Sequence, residues 1–122
     1  MTLNVFVMVP LSEVTDGVLN GYRIGAYPQI AHRGLDIYRP PRGFVEVTEA
    51  NRETRVSPHF TLGQFLCKQT GGWPKYVVLR ERLLLKLELI LGRVNERGRR
   101  CDTFIVMSGY RTPYYNHQIG NV

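Results

Sequence analysis

The segment YVVLRERLLLKLELILGRVNERG, Tyr76 to Gly98, constrains this chain more than any other. Leu79, Leu83, Leu87, Ile90, Leu91 and Val94 recur at three- and four-residue steps, the pattern of a helix with one wide apolar stripe. Leu84, Leu85 and Leu89 carry the stripe well round the cylinder, so the helix needs cover on more than one side. Gly98 fits the C′ position that ends it. The cluster RGRR, Arg97 to Arg100, then falls where the helix dipole favours cations. DTFIVMSG follows, and its apolar run predicts a core strand from Thr103 to Met107. Few other elements are available to cover such a helix. The imbalance points to an incomplete domain or to burial against a partner.

The first third reads as β-structure. Leu3, Val5, Val7, Val9 and Leu11 fall on one period-2 face, and Thr15-Asp16-Gly17 is a hairpin signal. VLNGYRIGAYP is expected to return as a second strand, and Phe44 to Val47 to add a short one. Residues 28–43 mix Pro, Gly and aliphatics, as an ordered loop does. Thr61 and Gln64 have the spacing of a capping box, opening a short helix that buries Leu62, Phe65 and Leu66. The fold class is α+β: an amino-terminal β-hairpin region, a short helix, the long Leu-rich helix and a core strand. The division falls at residues 1–56, β-rich, and 57–122.

Composition narrows the function. With 122 residues and 43% hydrophobic content, the chain suits one domain with a modest core. No apolar run approaches the roughly 20 residues that span a bilayer. The net charge of +6 is compatible with nucleic acid, anionic lipid or an acidic polymer. The tyrosines and Trp73 are scattered, however, and no nucleic-acid-binding motif is present, so no nucleic-acid partner is expected. His32, His59, His117, Cys67 and Cys101 show no metal-ligand spacing. The two cysteines leave a single disulfide and two inert thiols equally open. Ser108 lacks a GxSxG context, and Cys67 has no activating histidine in its pattern. Arg111 stands out: it follows a strand and a glycine, and its planar fork suits a carboxylate or a polarised carbonyl. Ser108 is placed to donate to the same anion, and pairing with an acidic neighbour is the competing role for Arg111.

Three stretches together, SPHFTLGQF, the Leu-rich helix ending VNERG, and SGYRTPYYNHQIGN, resemble the zinc D-alanyl-D-alanine carboxypeptidase family. That family includes the vancomycin-resistance D,D-peptidases and shares the Hedgehog/D,D-peptidase fold. The resemblance covers about Ser57 to Val122, and VLNGYRIGAYP is similar to an extra amino-terminal segment of some envelope members. It implies that Arg111 contacts substrate and stabilises charge on the scissile carbonyl. Preorganised donors of this kind contribute on the order of 3 kcal/mol to catalysis. It also implies that Ser108 lies beside the substrate, and that Tyr110 and Asn116 shape and hold the turn. In the family a Ser-x-His-x-x-Gly-x-Ala-x-Asp segment comes next, and later a catalytic Glu and a second zinc-binding His. This sequence reaches Val122 before any of these. The expectation is therefore the amino-terminal part of a zinc-dependent peptidoglycan D,D-carboxypeptidase or endopeptidase of the bacterial periplasm or envelope. Zinc is expected in the complete protein, no metal ligand within these 122 residues, and no activity from them alone. The alternative is a non-catalytic cell-wall-binding or interaction module, self-associating through the Leu-rich helix.

Overall fold

The computed structural model describes residues 4–28, 34–35 and 39–120. Leu3, His32, Arg33, Tyr38 and part of the 28–43 loop lie outside them. The architecture is α+β. Its centre is a three-stranded antiparallel sheet in which β4 (Gly43–Val47) lies between β1 (Met8–Pro10) and β7 (Lys75–Val77). Val45 pairs with Met8 on one side and with Val77 on the other. Two small hairpins flank this sheet: β2 (Val18–Leu19) with β3 (Tyr22–Arg23), and β5 (Arg55–Ser57) with β6 (Phe60–Thr61). Helix α1 spans Glu81–Glu96 and α2 spans Pro113–Gln118. The central sheet thus takes strands from both sides of residue 57.

Both faces of the sheet are covered, because successive strand residues point to opposite sides. Tyr76 joins Phe44, Leu19, Tyr22 and Ile24 in a core under the β2–β3 hairpin. Its neighbour Val77 joins Val47, Phe60, Leu62, Phe65 and Leu91 in a second core beneath α1. Tyr110 packs against both.

The Asp16-Gly17 turn forms, with Asp16 at φ 51° and a bridge from Thr15 to Val18. It does not pair β1 with the next strand, because β1 takes β4 as its partner. VLNGYRIGAYP is not one strand but a second tight hairpin, turning at Asn20 with φ 47°. The expected period-2 face forms only at its carboxyl end, where Val9 and Leu11 pack on the core under the β2–β3 hairpin. The ladder with β4 stops at Met8, leaving Val5 and Val7 exposed, while Phe6, of opposite parity, packs on the α1 core.

The Leu-rich helix begins at Glu81, five residues later than its periodicity predicts. Tyr76 and Val77 extend the sheet instead, as an aromatic and a β-branched residue favour. Only Leu91 of α1 is buried, with Leu84 and Leu87 packed partly against the core. Leu83, Leu85, Leu89 and Ile90 are exposed, so the expected surplus of apolar surface is present. A carboxylate fastens the helix to the β5–β6 hairpin. Glu88 Oε1 accepts from Ser57 Oγ (3.0 Å) and the His59 backbone N–H (2.8 Å), and Oε2 lies 2.7 Å from His59 Nδ1.

No core strand forms over Thr103–Met107. Phe104 and Val106 do turn inward while Ile105 and Met107 face solvent, at 88% and 79% exposure, as in a strand. The Thr103 carbonyl accepts from Cys101 Sγ at 2.9 Å rather than from a ladder. Asn95 brackets Cys101, accepting from its N–H and donating to its carbonyl, and Gln64 Nε2 donates to the Phe104 carbonyl. Gln64 also accepts from the Thr61 N–H at 2.8 Å, so its half of the predicted capping box is in place; the helix it opens is one 3-10 turn, Leu62–Phe65. Cys67 and Cys101 are both free thiols.

Candidate functional site

The turn carrying Ser108 to Arg111 is held at three points. The Tyr110 N–H donates to the Phe65 carbonyl at 3.0 Å. Gly109 lies so close to Phe65 that an added Cβ would sit 3.0 Å from its Cα. A glycine here serves close approach to the protein's own backbone. Thr112, fully buried, then caps α2: its Oγ1 accepts from the Tyr115 N–H (3.0 Å) and donates to Gln69 Oε1 (2.5 Å). Gln69, also buried, donates from Nε2 to the Arg23 carbonyl at 2.9 Å. Pro113 takes the first helical position, where a missing N–H costs nothing. Helix α2 is in turn pressed onto the β2–β3 hairpin, with the Tyr114 N–H on the Ile24 carbonyl and Tyr114 N only 2.7 Å from where a Cβ on Gly25 would lie.

The frame leaves Arg111 exposed, with Nε donating to Ser108 Oγ at 2.9 Å. Its four remaining N–H donors have no partner among the described residues, and the Ser108 hydroxyl keeps its own proton to donate. Arg111 borders a cavity of about 670 Å³, within the range of ligand pockets. Tyr27 and Tyr110 contribute a wall, with their hydroxyls 2.6 Å apart. Burial raises the Tyr110 phenol far above its ordinary value of 10, and the neighbouring Tyr27 adds to the shift. Burial raises Tyr27 too, partly offset by its bond to Tyr110. Both rings therefore stay protonated and neutral.

Of the four residues singled out by sequence, Ser108 and Arg111 are brought into direct contact. Tyr110 lines the cavity, but much of its ring is a wedge between the two cores. Asn116 lies on α2, its N–H on the Thr112 carbonyl, and does not line the cavity. Arg39, Arg42 and Arg80 line it as well, and these looked like scattered surface charge in the sequence. The register pairing Val45 with Val77 runs antiparallel, so the residues before β4 and after β7 reach the same end of the sheet. Arg42 and Arg80 are brought together by that pairing, which no local pattern encodes.

Among the described residues, no three His, Cys, Asp or Glu side chains are grouped so as to hold a metal ion. His59 is engaged by Glu88, and His117 sits in the last turn of α2. No protein-family model matches the chain, and neither a curated protein nor a solved structure matches it. The geometry defines an α+β fold carrying a cation-lined cavity beside a braced Ser–Arg pair.

Proposed function

We propose that this chain is the substrate-anchoring part of a zinc-dependent peptidoglycan D,D-carboxypeptidase/endopeptidase-like protein of the bacterial envelope. The observation that carries the reading is Arg111, oriented by Ser108 and bordering a cavity with most of its donors uncommitted. A guanidinium held this way matches a peptide carboxylate or a carbonyl gaining negative charge. The similarity of the SGYRTPYYN stretch to the family motif supports the same roles for Ser108, Tyr110 and Arg111. Asn116 contributes through the turn.

No three metal-ligating side chains are grouped among the described residues, and no step is derived through a metal. What this chain supplies is binding and orientation. Arg111 holds the anion, Ser108 fixes the guanidinium plane and offers one donor, and the protonated Tyr27–Tyr110 pair walls the peptide without adding charge. In this reading zinc and its ligands belong to sequence outside these 122 residues, and the chain alone is inactive. Purified 1–122 is expected to bind a peptide ending in D-Ala-D-Ala, to lose that binding in Arg111→Gln, and to release no D-alanine. Turnover, stoichiometric zinc, or binding indifferent to Arg111→Gln refutes the proposal.

The exposed face of α1 favours a second reading, a non-catalytic cell-wall-binding or self-associating module. Leu85, Leu89 and Ile90 are more than half exposed along one helix. Sedimentation of the parent and of Leu89→Lys, with pull-down on peptidoglycan sacculi, tests it. A monomer without affinity for sacculi eliminates this reading.

A further inference from the structure

Helix α1 gives only part of its surface to the protein. Leu91 is buried, Leu84 and Leu87 pack on the same core, and Glu88 is held by Ser57 and His59. On the side turned away, Arg82, Lys86, Leu89, Arg93 and Arg97 follow one another at three- and four-residue steps, which makes them one continuous stripe. Leu85 borders the stripe on one flank, and Leu83 and Ile90 on the other. Leu85, Leu89 and Ile90 are 61%, 62% and 53% exposed. The four basic side chains of the stripe are exposed as well, and none of them is hydrogen-bonded or ion-paired to another described residue. Arg99 and Arg100 extend the charge past the carboxyl end of the helix. The remaining acidic side chains of α1, Glu81 and Glu96, stand at its two ends.

This mixture of charge and aliphatic surface selects among the partners that could cover it. A second copy of the helix sets the same excess of positive charge against itself, which is unfavourable. An acidic soluble polymer pairs with the cations but leaves the aliphatic side chains in water. Docking of a helix into a protein groove uses apolar anchors in a single line, whereas here they lie on both sides of a line of cations. A bilayer accepts both kinds of group at once: lipid phosphates take the cations, and the aliphatic side chains reach the acyl boundary beneath them. We propose that the outer face of α1 docks this protein on an anionic lipid bilayer, with Arg82, Lys86 and Arg93 at the headgroups and Leu85, Leu89 and Ile90 dipping below them. The contact is peripheral, since no helix among the described residues is long and apolar enough to cross a membrane. It goes beyond the peptidase reading and does not rest on it.

Flotation of chain 1–122 with vesicles of phosphatidylcholine, or of phosphatidylcholine mixed equally with phosphatidylglycerol, tests the proposal. Binding is expected to the mixed vesicles alone, and to weaken as salt rises. Lys86→Gln and Arg93→Gln should each lower the partition coefficient about fivefold, and the pair about 25-fold. Leu89→Ser withdraws an aliphatic group and should lower it at least about threefold. All three side chains are exposed, so the substitutions leave the fold intact, checked by circular dichroism. No binding to the mixed vesicles, equal binding to both kinds, or binding indifferent to the paired charge variant overturns the proposal. Binding that follows the charge variants but ignores Leu89→Ser overturns it too, in favour of an acidic polymer, which capture on poly-L-glutamate would then show. A dimer in sedimentation that Leu89→Lys dissociates, without vesicle binding, assigns the face to a second copy instead. Arg111→Gln should leave vesicle binding unchanged. A failure here therefore leaves the peptidase reading standing, and a failure to bind the D-Ala-D-Ala peptide leaves this one standing.

Discussion

Replacing Thr112 by valine keeps nearly the same shape and removes one hydroxyl, which is both the N-cap of α2 and the partner of Gln69. The Tyr115 N–H loses its acceptor, a cap loss worth about 1 kcal/mol. Gln69 Oε1 loses its donor in a residue only 6% exposed, and an unsatisfied buried polar atom costs about 1–3 kcal/mol. The sum, about 2–4 kcal/mol, is a large part of the roughly 5–15 kcal/mol that holds a typical domain. In urea the midpoint is expected to fall with the slope unchanged, since no surface changes its exposure class. Gln69→Leu supplies the second arm of a cycle. The double variant still leaves the Tyr115 N–H and the Arg23 carbonyl without these partners, but it orphans neither Gln69 Oε1 nor the Thr112 hydroxyl, so it should be less damaged than the two losses added, by about 1–2 kcal/mol. Affinity for a peptide ending in D-Ala-D-Ala should fall as well, because Arg111 precedes Thr112 directly. A Thr112→Val protein within 0.5 kcal/mol of the parent, or a strictly additive cycle, refutes the argument.

Gly109→Ala drives a Cβ to 3.0 Å from Phe65 Cα and 3.1 Å from its carbonyl oxygen. Overpacking of this kind costs about 1–3 kcal/mol and is read from the same urea curves. Burial raises the Glu88 pKa, but bonds from His59 and Ser57 outweigh it and leave the carboxyl below its ordinary value of 4.5. The unfolded chain then binds the extra proton, so this stability is present above about pH 4.5 and is lost as pH falls through the lower folded value. Glu88→Gln should flatten the acid limb of stability against pH, and an unchanged limb contradicts the assignment. Tyr22, Tyr27, Tyr76 and Tyr110 are all raised, with burial as the leading cause, so the folded chain keeps protons that the unfolded chain gives up near pH 10. Their contribution is complete below that pH and lost above it. Ultraviolet titration at pH 11 should find Tyr22 and Tyr110 still protonated and ionising on denaturation.

The features legible in the sequence are those settled within a few residues. Thr61 and Gln64 are three apart, and the bond between them is local. Gly98 after α1, the strand at Phe44–Val47 and the turn at Asp16-Gly17 are of the same kind. Thr103–Met107 forms no strand for a physical reason: its side chains alternate as a strand's do, but a ladder needs a neighbouring strand, and here the Thr103 and Phe104 carbonyls accept from Cys101 Sγ and Gln64 instead. Tyr76 and Val77 were absorbed into the helix because Leu79 continues the helical spacing beyond its true start. At the site, the contact between Ser108 and Arg111 was readable at three residues' separation. The convergence of Arg42 and Arg80 was not, since strand pairing unites them.

Tyr110 packs against both hydrophobic cores while its N–H is bonded to Phe65. The site-bearing turn is therefore not an independently mobile unit. To release that amide to solvent, the contacts on both faces of the sheet must open. Its hydrogen exchange should follow the slowest, global opening of the protein, unlike the exposed tip of a binding loop. By mass action a ligand seated on Arg111 then steadies the whole molecule, and the gain is read at amides as distant as those of the β2–β3 hairpin.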